Sequence, residues 1–60
     1  MDLVKRETLK NGYTVSLYSE TYEYYVYCIY KGKTILRKAA GTNEFRAMYT
    51  FCYVIGLYDD

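Results

Sequence analysis

Leu3-Val4-Lys5-Arg6-Glu7-Thr8-Leu9-Lys10, Asn11-Gly12, Tyr13-Thr14-Val15-Ser16-Leu17-Tyr18-Ser19: two β-prone runs separated by Asn-Gly. Asn-Gly between such runs is the strongest short-range hairpin signal, because both central residues of a type I′ turn need positive φ. A two-residue turn pairs Lys10 with Tyr13, Thr8 with Val15, Arg6 with Leu17 and Val4 with Ser19. The face holding Val4, Val15 and Leu17 is then the expected core face. Opposite it lie Leu9 with Thr14, Glu7 with Ser16, and Lys5 with Tyr18. The flanking sequence follows from this hairpin.

Tyr22 to Tyr30 is almost wholly aromatic or β-branched and reads as a third strand, entered through Ser19-Glu20-Thr21. Lys31-Gly32 makes a second tight turn into a fourth strand over 33–38. A two-residue turn there opposes Cys28 to Ile35, Tyr27 to Leu36 and Val26 to Arg37. Ala39-Ala40-Gly41 breaks the strand, and Thr42 or Asn43 can cap the helix that follows, with Glu44 set against its N-terminal dipole. The expectation is one α+β domain over residues 1–60. It is a four-stranded antiparallel β-meander (3–10, 13–19, 22–30, 33–38) with one C-terminal helix (43–57) on one face. Two layers satisfy the packing rule and leave the second sheet face bare.

Both faces of the second hairpin are apolar, unlike the alternation of a half-exposed antiparallel sheet. On the helix, Phe45, Met48, Tyr49, Cys52, Ile55 and Gly56 form one stripe at 100° per residue, the expected sheet-facing one. Ala47, Phe51, Val54 and Tyr58 form a further apolar strip, making the apolar arc wider than a single sheet contact needs. Two candidate interaction surfaces follow. One is the open sheet face with Tyr18, Tyr25, Tyr27, Ile29 and Leu36; the other is the helix strip Phe51, Val54 and Tyr58 with Ala47. Contiguous exposed apolar patches mark binding sites, and tyrosines make good anchors.

Composition narrows the function classes. Ten tyrosines in 60 residues, with no tryptophan or proline, suit a sheet offering large amphipathic contact area. A chain this short sits near the lower limit for folding alone, where oligomerisation is a common aid. There is no histidine, and Cys28 and Cys52 lie far apart without a CxxC pattern, so neither metal nor cofactor is expected. Without histidine a Ser or Cys nucleophile lacks its usual base, no glycine-rich phosphate loop occurs, and the chain reads as a non-enzyme. Both cysteines fall on expected core faces, where a free thiol acts as a small hydrophobe; a Cys28–Cys52 bridge stays open if strand and helix face each other. Met1 to Glu7 lacks the apolar core of a signal segment, and the run Ala47 to Tyr58 is too short to span a bilayer. The expected setting is cytoplasmic, away from membranes.

Net charge is +1, so no global field attracts nucleic acid. Locally, however, Lys31, Lys33, Arg37 and Lys38 occur without an acid beside the third strand's tyrosines, a pairing that can bind phosphates and stack bases. Strand, turn, strand and Gly-Thr before an alanine-containing helix, over residues 24–57, is similar to the second half of double-stranded-RNA-binding domains and to the arm-binding domains of phage integrases. Double-stranded-RNA binders place a lysine cluster at the helix start. Thr42-Asn43-Glu44-Phe45-Arg46 carries none, so no site residue follows from the resemblance. The leading expectation is a small protein-binding module that acts by occluding a protein partner, as a homodimer. Its size and type, rather than any motif, match inhibitors encoded by phage and mobile elements, including anti-CRISPR-like ones. Nucleic-acid binding through the 31–38 hairpin is the alternative.

Overall fold

In a computed structural model, described over residues 1–59, four strands form one antiparallel sheet in the order β1-β2-β3-β4, followed by one helix. The elements are β1 (Asp2–Thr8), β2 (Thr14–Ser19), β3 (Tyr24–Tyr30), β4 (Lys33–Ala39) and α1 (Glu44–Tyr58). The ββββα architecture is the expected one. Its registers differ in three places.

At the first turn, the Leu9 amide donates to the Tyr13 carbonyl (2.7 Å) and the Gly12 amide to the Leu9 carbonyl (3.1 Å). Gly12 has φ +94° and Asn11 has no positive φ. This is a three-residue loop closed by a glycine bulge, not the type I′ turn expected from Asn-Gly. Asn11 is used for its side chain instead. Its Oδ1 accepts from the Tyr13 amide (3.3 Å), and its Nδ2 donates to the Tyr58 carbonyl at the end of α1. The longer loop slips β1 by one residue: Glu7 now pairs with Val15, Arg6 with Ser16 and Lys5 with Leu17. A second irregularity between Leu3 and Lys5 shifts the register again, so Leu3 pairs with Tyr18.

The Lys31-Gly32 turn has the expected two residues, with φ +52° and +79° as a type I′ turn requires. Tyr30 pairs with Lys33 and Ile29 with Thr34; a bulge at Ile35 then sets Leu36 opposite Cys28 and Arg37 opposite Tyr27. Because strand side chains alternate, this one-residue shift exchanges the faces of everything beyond it. Leu36 therefore packs against the core instead of joining Tyr27 on the open face.

The core lies between the central strands and the helix. Val15, Leu17, Val26 and Cys28 from the sheet and Ala47, Phe51 and Val54 from α1 are buried, with Leu9 and Ala40 closing the ends. The helix packs on β2 and β3, while the edge strands β1 and β4 stay exposed along nearly their whole length. Asn43 caps α1, its Oδ1 accepting from the amides of Phe45 (2.8 Å) and Arg46 (3.3 Å). At one end Tyr13 stacks on Tyr30 (centroids 4.3 Å apart) and meets the Tyr58 ring at 5.1 Å, closing the core under the first turn.

The helix is rotated about its axis from the expected orientation. Phe51 and Val54 are 1% and 0% exposed, and Tyr58 is half-buried, so the strip expected to be surplus faces the sheet. Polar-atom accounting explains the choice. The expected stripe includes Tyr49 and would carry its hydroxyl into an apolar interface, where an unpaired O–H costs about 1–3 kcal/mol. Ala47, Phe51 and Val54 bring no polar side-chain atom, and Ala47 lets the helix sit close. Cys52, expected in the core, lies outside with its thiol free; Cys28 is buried and free, so the bridge does not form.

Candidate functional surface

The structure sorts the expected sheet residues by face. Tyr18, Tyr25, Tyr27 and Ile29 share the open face and are half-buried. Their rings are not bare. The Arg6 guanidinium bonds Ser16 Oγ (3.0 Å) and the Tyr18 hydroxyl (2.8 Å), and Tyr18 meets Tyr27 edge to face at 5.4 Å. Arg37 lies over the Tyr25 ring, 3.9 Å from its centroid, and its Nε donates to the Tyr27 hydroxyl (3.2 Å). That hydroxyl donates in turn to Glu20 (3.1 Å), and Tyr25 donates to Glu23 (3.3 Å). The bond to Tyr27 pushes the Arg37 pKa above its already high usual value. Two arginines thus act as a second layer over the tyrosines, and the fully buried Ser16 is satisfied beneath one of them. Sequence reasoning misses Arg6 as part of this face, because a two-residue first turn places it beside Leu17.

The basic residues do not gather on one surface. Arg37 pairs with Tyr27 on the open side, whereas Lys38 pairs with Val26 and Lys33 with Tyr30, on the helix side. Lys31 occupies the turn, its ammonium 5.3 Å from the Tyr30 ring. Phosphate-binding and base-stacking groups are therefore split across the sheet.

Apart from Tyr22 in the β2–β3 loop, 83% exposed, the most exposed aromatic side chains lie together on α1 instead. Phe45, Tyr49 and Tyr53 are 87%, 79% and 56% exposed, and Cys52 and Gly56 are exposed beside them. At 100° per residue these positions centre about 180° from the buried strip Ala47, Phe51 and Val54. Shallow grooves run along them, one lined by Phe45, Arg46, Tyr49 and Thr50, the other by Phe45, Met48, Tyr49, Cys52 and Tyr53. A solvent-facing helix side normally carries charge. Here no charged residue occurs from Ala47 to Tyr58. The doubled apolar arc in the sequence is the signal for this surface; of the stripe expected to face the sheet, Met48 and Ile55 do pack against the core, while Phe45, Tyr49, Cys52 and Gly56 face outward.

Among the described residues no helix is long and apolar enough to cross a membrane. Comparison with known protein families, curated proteins and solved structures finds no match to the chain.

Proposed function

We propose that this protein is a non-enzymatic protein-binding module that acts by covering an uncharged, aromatic-accepting protein surface with the outer side of α1. The observation carrying this reading is the strip Phe45, Tyr49 and Tyr53, exposed on a helix face whose one charge is Arg46 at its N-terminal end. Aromatic anchors on a surface depleted of charge are the composition of an interface centre. The open sheet face supports the reading less, since its tyrosine hydroxyls and rings are engaged by Arg6, Arg37, Glu20 and Glu23. Division of the basic residues between two faces favours a protein partner over nucleic acid.

The test compares immobilised wild-type protein with Tyr49→Glu in a cell extract. A protein retained only by the wild type, and binding it again when both are purified, supports the reading. Identical retention by the two overturns it. Oligonucleotide binding that falls steeply with salt and vanishes when Lys31, Lys33, Arg37 and Lys38 are neutralised would replace it with the nucleic-acid reading.

A further inference from the structure

We infer that one occupant of this face is a second copy of the chain, docked as an antiparallel helix pair about a two-fold axis; the inference rests on the proposed binding role of the same face. The first argument is the spacing. Phe45, Tyr49, Cys52 and Gly56 follow one another at intervals of 4, 3 and 4 residues, the seam of a two-heptad coiled coil. Met48 and Tyr53 flank that seam on either side. Reversed about the midpoint between Thr50 and Phe51, the seam becomes its own complement: Phe45 falls opposite Gly56 and Tyr49 opposite Cys52. Each bulky ring meets a small residue of the other copy.

Gly56 is the second argument. It has no positive φ, and a Cβ added there would meet nothing within 4 Å. Nothing in the single chain requires glycine, yet glycine weakens a helix interior by about 1 kcal/mol relative to alanine. A partner's Phe45 ring laid over this position gives the missing side chain a use.

Area and charge agree with this occupant. At about 200 Å² per fully exposed aromatic side chain, Phe45, Tyr49 and Tyr53 offer roughly 450 Å² per copy. Covered completely, two copies, with Cys52 and Met48 included, reach the ~1,000 Å² at which specific though weak interfaces begin. The seam itself carries no charge, and Arg46 flanks it at the N-terminal end, where it reaches solvent, so pairing buries no unpaired ion in the seam; antiparallel helices also align their dipoles favourably. The sheet edges offer the poorer route to a dimer. β1 carries Asp2, Lys5, Arg6 and Glu7 with an irregularity, and β4 carries Lys33, Arg37 and Lys38 with a bulge. Charges and bulges on edge strands oppose edge-to-edge pairing.

The arrangement also places each Cys52 near the two-fold axis. An offset of about 4–5 Å along the helices and a close approach of the two seams at an interaxial distance of about 8–10 Å set the two Cα atoms about 6–7 Å apart, within disulfide range. Cys52 therefore reports on the pairing without alteration of the chain.

Sedimentation equilibrium tests the inference, with mild oxidation by diamide, which takes two electrons and two protons from a pair of thiols as the disulfide forms. Mass should rise with concentration from the 7.1 kDa monomer toward twice that value, with a midpoint between about 10 µM and 1 mM for an interface of this size. Diamide should yield a covalent dimer that Cys52→Ser abolishes. Gly56→Gln should reduce both dimer signals at least about tenfold while leaving the fold intact, because glutamine is the better helix former and finds open space. A constant monomer mass across that range overturns the inference, as does undiminished dimerisation of Gly56→Gln. Monomeric behaviour together with Tyr49-dependent capture of another protein refutes the second copy alone; monomeric behaviour with no such capture refutes the binding role as well.

Discussion

Replacing Phe51 and Phe45 in turn by alanine separates the two sides of α1. Phe51 is 1% exposed in the core cluster, and truncating a buried phenylalanine costs about 3–5 kcal/mol from lost transfer energy and the remaining cavity. A chain of 60 residues has in total about 3–9 kcal/mol of stability, so Phe51→Ala removes most of it. Phe45 is 87% exposed, its removal opens no cavity, and alanine is the better helix former. Phe45→Ala should stay within about 0.5 kcal/mol of wild type. Urea titration followed by far-UV circular dichroism, at low micromolar protein so that association does not contribute, reads both values. With a slope near 1 kcal/mol/M, Phe51→Ala should lower the midpoint by about 3 M or abolish the folded baseline. Val54→Ala, which removes less volume, should give a smaller loss on the same scale and keeps the comparison measurable. Equal losses for Phe45→Ala and Phe51→Ala, or the reverse order, would show that the helix presents the other strip to the sheet.

Lys31→Asn should stabilise the protein by about 0.5–1 kcal/mol, because Lys31 sits at φ +52° and asparagine tolerates that region better; an unchanged or lower urea midpoint would contradict the type I′ assignment. The thiols should divide: Cys52 reacts with a thiol reagent at once, whereas Cys28 waits for unfolding. Burial pushes the Cys28 thiol above its ordinary value of 9.0, so its contribution to stability is complete below about that pH and declines as pH rises through the folded-state value. Cys28→Ala should remove this part of the alkaline slope, and an unaltered slope would refute the assignment.

Much of the architecture was legible because the turns are local chemistry. Lys31-Gly32 adopts the type I′ geometry its residues favour, and Asn43 caps α1 through two backbone amides. Asn11-Gly12 marks a hairpin but not its length. Gly12 takes the positive φ alone, while Asn11 turns its amide to the end of the helix 47 residues away in sequence. No local pattern contains that bond. The register shifts follow from the same limit. A bulge at Ile35 changes which residues share a face without changing which residues prefer strands, and it moves Leu36 into the core and Arg37 onto the tyrosines.

By itself the sequence determined the order of four strands and a helix, the places of the two turns and the surplus of apolar surface, since each depends on neighbouring residues or on composition. The tertiary structure alone decided where that surplus lies. Tyr25 and Tyr27 look available in the chain, yet Arg37 and the two glutamates engage them once the strands pair. On the helix, two apolar strips competed for one sheet. The strip of Ala47, Phe51 and Val54 brings no hydroxyl to the middle of the interface, with Tyr58 half-buried at its end; it took the core and left Phe45, Tyr49 and Tyr53 facing outward. Periodicity records that a helix has such strips, but only the volume and polarity of the surface opposite decide which one is covered.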